Sequence, residues 1–190
     1  SCEKRSSLLM RSTNGLFAHP SELAERIKGF LRMSELEYND KNPQPNELNF
    51  YIEVDDKASK IKVTIVQTKE SPGRLGLVSY VLFSPEHVSA LKRISEEEKG
   101  KMLNDVFFWL TPREPEWTVE LNPKPETGRT DPFYLVFAEL FEDEFSQSSL
   151  VRSVRKVVKS SMIAKRLIQF HLNKYVEIVD LSENKGEINV

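Results

Sequence analysis

Between Ser146 and Val176 the chain carries Arg152, Arg155, Lys156, Lys159, Lys165, Arg166 and Lys174 and not one acidic residue. Cations at this density can neutralise phosphates, which makes Arg152, Arg155, Lys156, Lys159 and Arg166 the candidates for contacting a nucleic-acid backbone, an interaction whose affinity falls steeply with salt. Glu142, Asp143 and Glu144 stand just before them. Crowded carboxylates raise one another's pKa and collect cations, so a metal or acid/base cluster is one chemistry open to the trio. The same order, acids at the amino end and cations toward the carboxyl end, also suits a helix macrodipole by about 0.3–1 kcal/mol per well-placed charge. A solvated outer helix face thus accounts for the charges without any ligand.

Other reactive side chains are scattered. His19, His87 and His171 fall in three different segments, none with a second ligand at i+3 or i+4, and Cys2 is the one cysteine, so no zinc-binding spacing is present. No glycine motif that cradles phosphate or exposes a nucleophile occurs, and Gly73 and Gly76 in "SPGRLG" read as hairpin punctuation. Trp109 and Trp117 flank "LTPREPE", where two indoles either wall a small pocket or pack on a sheet. No nucleophile, base and orienting group can be assembled. The expectation is a protein that is not an enzyme and uses no cofactor and no metal.

The segments that must position these residues follow from hydrophobic period. "HPSELAERIKGFLRMS" (19–34) spaces Leu23, Ile27, Phe30 and Leu31 as one helix face, with Pro20 at its start and Glu22 in the first turn. The prolines and asparagines of 39–47 make a loop. "LNFYIEV" (48–54) and "IKVTIVQT" (61–68) alternate apolar and polar residues, "LGLVSYVLF" (75–83) is rich in β-branched and aromatic residues, and the short turns between the three imply an antiparallel meander. Helices are predicted over 84–94 and 95–110, the second opened by a capping box of Ser95 and Glu98 and presenting Met102, Leu103, Val106, Phe107 and Leu110 on one face. Strands over 117–121 and 133–141 complete the sheet.

In the basic segment, about 100° per residue puts Leu150, Val154, Val157, Ser161, Ala164, Ile168 and Leu172 on one face and Arg152, Arg155, Lys156, Lys159 and Arg166 opposite. Past Ser161, however, Ile163, Leu167 and Phe170 occupy the side the cations had held, so the helix is apolar on two faces there, the mark of an element buried on both sides. A break near Ser160–Ser161, a second layer of the same chain or a partner subunit would each explain it. Three large apolar side chains left exposed mark an association site, and Ile163, Leu167 and Phe170 are the predicted partner-binding residues of a homodimer.

Hydrophobic residues at 39% of 190 suit a single domain, and a net charge of −2 supplies no global field toward nucleic acid or an anionic membrane. No apolar run reaches the roughly 18–20 residues of a membrane-spanning helix. One cysteine excludes an intrachain disulfide and fits the reducing cytoplasm. Residues 1–16 lack a clear period and read as a flexible leader or tag remnant, 17–176 as one α+β domain, and 177–190 as a tail that hangs free or adds a short edge strand.

The order of elements, α-β-β-β-α-β-β-α with a five-stranded antiparallel sheet, resembles the type III secretion chaperone-like fold. The phrasing of "LFSPEHVSALKRISEEEKGKMLNDVFFWL" is similar to a family of uncharacterised, mainly archaeal proteins given that fold. The resemblance spans about 17–174 and implies homodimers that hold extended segments of client proteins; it transfers no binding residue. The function expected is a cytoplasmic, chaperone-like domain binding protein or peptide, and the alternative is a nucleic-acid binder using the basic helix face.

Overall fold

A computed structural model describes residues 15–42, 44–113, 116–124 and 131–183, with side chains of the last helix placed as far as Val176. Alternation builds the middle of the sheet. β2 (Leu48–Asp56), β3 (Ile61–Thr68) and β4 (Arg74–Leu82) turn Phe50, Ile52 and Val54, then Ile61, Val63 and Ile65, then Leu75 and Leu77 onto one buried face. Pairing is antiparallel throughout, with Ile52 opposite Ile65 and Ile65 opposite Leu77. β6 (Phe133–Phe141) runs along β4, and β5 (Glu116–Glu120) forms the edge beyond it.

The described residues form six strands rather than the five expected. The addition, β1 (Tyr38–Asn39), sets Tyr38 opposite Val54 at the other edge, giving the order β1-β2-β3-β4-β6-β5. Two residues cannot display a period, and Asn39 belongs to a stretch of loop-forming composition. β2 supplies the pairing that makes them a strand, helped by Asp55 N–H donating to Glu37 O at 3.1 Å.

The helices lie on one face of this sheet. α1 (Pro20–Met33) buries Leu23, Ile27 and Leu31 completely and closes in a Schellman motif: Leu36 N–H reaches Leu31 O at 3.0 Å and Glu35 N–H reaches Arg32 O at 3.1 Å. Glu35 therefore sits at φ 55°, where glycine is the usual occupant. α2 (Pro85–Leu91) starts after Ser84, and α3 (Glu96–Leu110) starts on the expected capping box. Met102, Val106 and Leu110 of α3 are buried, but Phe107 is 58% exposed against Trp117, a correction to its predicted inward face. Phe107, Phe108 and Trp109 are consecutive, and three adjacent residues span some 200° of a helix, too wide for one face.

α4 (Gln147–Glu183) crosses β3, β4 and β6 and is flanked by α1, α2 and α3. All seven residues of its predicted inner face, Leu150 to Leu172, are at most 3% exposed. The helix is unbroken at Ser160–Ser161. Both serines are fully buried and lack bulk, which lets the helix lie close to the sheet, where Tyr134 Oη donates to Ser161 O at 3.4 Å. Residues 177–183, read as tail, are the last turns of α4; 184–190 lie outside the described residues.

The predicted leader also lies outside them as far as 14. Leu16–Ala18 form a 3-10 turn that buries Phe17, whose N–H donates to Glu142 Oε1 at 3.1 Å. Gly15 packs so closely on that carboxylate that a Cβ there would have to push it aside. The buried amide of Gln67 secures the same corner, with Nε2 donating to Phe17 O at 2.9 Å and to Pro72 O at 2.6 Å, while Oε1 accepts from Asn49 at 3.0 Å.

Candidate functional site on the outer face of the last helix

Because α4 is one continuous helix, its outward side from Gln147 to Val176 is a single surface about 45 Å long. Stepping about 100° per residue, Arg152, Lys156, Lys159, Ile163, Leu167, Phe170 and Lys174 stay within a sector of about 80°. The first half of that sector is basic, the second apolar.

In the basic half, Arg152, Arg155, Lys156 and Lys159 line a groove of about 820 Å³ between α4 and the end of α1. Ser34 and Gln147 close one end, joined by Gln147 Nε2 donating to Ser34 Oγ at 3.1 Å. No carboxylate lines the groove, and among the described residues none pairs with these four cations. Several other cations are paired: Lys99 with Glu96 at 2.6 Å, Lys101 with Glu97 at 2.8 Å, Lys28 with Asp40 at 2.6 Å. The pairs 152–155, 152–156, 155–159 and 156–159 all have helical contact spacing, where like charges destabilise by roughly 0.2–0.5 kcal/mol each. Arg166, the fifth cation predicted to contact phosphate, is exposed but outside the groove. Behind the groove, Ser160 is fully buried, and its Oγ has no hydrogen-bond partner among the described residues.

In the apolar half, Ile163 and Leu167 are half-buried against the core, whereas Phe170 is 77% exposed. α3 runs antiparallel alongside: His171 Nε2 meets Asp105 Oδ2 at 2.7 Å and Lys174 Nζ meets Glu98 Oε1 at 3.5 Å. Phe108, one turn past Asp105, is consequently level with Leu167, one turn before His171, and it is 72% exposed. Sequence reasoning missed Phe108, although the "FFW" triplet was the available signal. Tyr175 donates to the Glu98 carboxylate at the foot of this ridge, and that hydrogen bond, followed by one from the Ser95 backbone, holds the Glu98 carboxyl below its ordinary pKa.

The other candidates take structural places. Glu142 caps the turn at Phe17, while Asp143 and Glu144 are exposed, and the described residues contain no group of three His, Cys, Asp or Glu able to hold a metal. His87 bridges Ser84 Oγ at 3.0 Å and Asn173 Oδ1 at 2.9 Å, and His19 is exposed at the start of α1. Trp117 packs on the core, and Trp109 meets Phe108 edge-on at 6.1 Å. Cys2 lies outside the described residues.

Fold and surface together define an α+β domain with a one-sided antiparallel sheet and a long helical ridge that presents charge and apolar area side by side. The chain belongs to the family described as an uncharacterized conserved protein (DUF2299), whose profile matches residues 23–168. A crystal structure of an uncharacterized protein from Methanothermobacter thermautotrophicus shares the fold at 21% identity, with a TM-score of 0.65 over 78% of this chain and 97% of that one. YbjN from E. coli is more distant, 8% identical with a TM-score of 0.48 over 80% of this chain and 93% of its own, a likeness that carries no argument. No curated protein matches the chain. No helix among the described residues is long and apolar enough to cross a membrane.

Proposed function

We propose that this chain is a non-enzymatic, homodimeric domain that binds protein: a second copy through the α3–α4 ridge, and an extended client segment along a sheet edge. The observation that carries the reading is Phe170, 77% exposed one turn along α4 from half-buried Leu167, which is itself level with exposed Phe108 of α3. Contiguous large apolar side chains of this kind are covered in assemblies. β5, an edge strand with Glu116 and Thr118 exposed, offers unpaired backbone groups of the kind that accept an added strand. A photo-crosslinking phenylalanine analogue at position 170 tests the reading. In the purified protein it should yield a covalent pair of chains; a product that stays at single-chain mass up to about 100 μM, where even weak dimers form, removes the homodimer.

Nucleic-acid binding has one observation in its favour, the unpaired cations of α4. The groove they line lacks an aromatic platform on which bases stack.

A further inference from the structure

We infer that the client segment is a short strand of alternating character, basic then apolar then polar then apolar then basic, laid along β5. The inference rests on the edge-binding reading above and names what that edge selects. β1 and β5 are the two ends of the sheet, but β1 has 2 residues and β5 has 5. Only the longer edge offers enough backbone groups to extend a ladder. Alternation decides which side chains a visiting strand meets. Trp117 and Val119 turn to the helix side, where both pack on the core. Glu116, Thr118 and Glu120 turn to the open side of the sheet, paired across with Phe137, Leu135 and Phe133 of β6.

The two sides differ in chemistry. On the helix side α3 follows β5 along its length: Phe107 lies 6.3 Å from Trp117, and Lys99, roughly two turns earlier, shares a hollow with Leu121 and Asn122. Half-buried Leu103 stands between them at i, i+4 spacing. Phe107 is exposed and Trp117 partly so, which leaves apolar area that alternate side chains of an added strand would take out of water. The one cation on this stripe, Lys99, is matched by Glu96 at 2.6 Å. On the open side neither Glu116 nor Glu120 pairs with a cation among the described residues. The two stand about 13 Å apart along the strand. Residues directly across a strand pair have Cβ atoms about 5 Å apart, where opposite charges attract and like charges repel. The client pattern follows: Lys or Arg opposite Glu116 and Glu120, a β-branched or aromatic residue opposite Trp117 and Val119, and a small polar residue opposite Thr118. It reads the same in both directions, so it serves parallel and antiparallel docking alike.

A fluorescein-labelled peptide with Lys-Ile-Thr-Ile-Lys at its centre is the probe, followed by fluorescence polarisation with the purified full chain at about 50 mM salt, where exposed charges are little screened. It should bind with Kd below about 1 mM. The charge-reversed Glu-Ile-Thr-Ile-Glu peptide should bind at least about fivefold more weakly, because each opposite-charge cross-strand pair contributes up to roughly that factor and each like pair opposes it. Glu116→Lys/Glu120→Lys should invert the preference, and its binding of the acidic peptide would itself report an intact edge. N-methylation of the central amides, which removes the ladder donors, should abolish binding of the basic peptide. Equal affinity for the two peptides, or a variant that keeps the parent's preference, overturns the charge pattern inferred here and leaves edge binding standing. A methylated peptide that binds like its unmethylated form, or no binding of either peptide up to about 1 mM, overturns edge binding as well.

Discussion

Phe170→Asp isolates the proposed dimer contact from the fold. With 77% of its surface in water, Phe170 has roughly 150 Å² of apolar area left to bury, given that aromatic side chains bury about 150–250 Å². At about 25 cal/mol per Å² this is worth about 4 kcal/mol per side chain. A two-fold dimer contains the residue twice, so its loss removes about 4–8 kcal/mol of association free energy once incomplete burial is allowed for, or roughly three to six decades in Kd. The subunit itself should scarcely respond: exposed substitutions usually change stability by less than about 0.5 kcal/mol, and the ring's one described aromatic contact is edge-on with His171 at 5.5 Å. Leu167 is the poorer probe because it is half-buried in its own core. Sedimentation velocity across a concentration series should show the parent as a dimer and Phe170→Asp as a monomer with an unchanged far-ultraviolet spectrum. A variant that sediments like the parent, or a parent that is monomeric throughout, refutes the reasoning.

Two further predictions concern stability. Glu35→Gly should raise unfolding free energy by about 1 kcal/mol in urea melts, because Glu35 holds φ 55° at the end of α1, a left-handed conformation costing a side-chain-bearing residue about 1–2 kcal/mol against a smaller entropic penalty for glycine. Tyr175→Phe should flatten the acid limb of the stability–pH curve. The Glu98 carboxyl is held below its ordinary pKa, first by the Tyr175 hydroxyl. A depressed folded pKa contributes stability that is complete above the unfolded value and disappears as pH falls through the folded one, so the variant and parent should differ at neutral pH and converge in acid.

Periodicity was sufficient for several elements with one side on the core, though in α3 it misplaced Phe107. β3 begins and ends where its alternation does, β6 coincides with the apolar run over 133–141, and the inner face of α4 from Leu150 to Leu172 is legible from its 3.6-residue repeat. The capping box at Ser95 and the cations on the outer face of α4 were likewise local facts. The sequence could not show β1, since a two-residue strand exists only by pairing with β2. It could not show that Glu142, one acid among three, is the one tied to Phe17, 125 residues earlier in the chain. Nor could it join Phe108 to the stripe of Leu167 and Phe170, or set the cations of α4 beside the end of α1 in a single groove. Hydrophobic period is a property of neighbours along a chain and is written residue by residue. A site depends on distances between segments, and those are set only when α1, α3 and α4 settle together on the sheet.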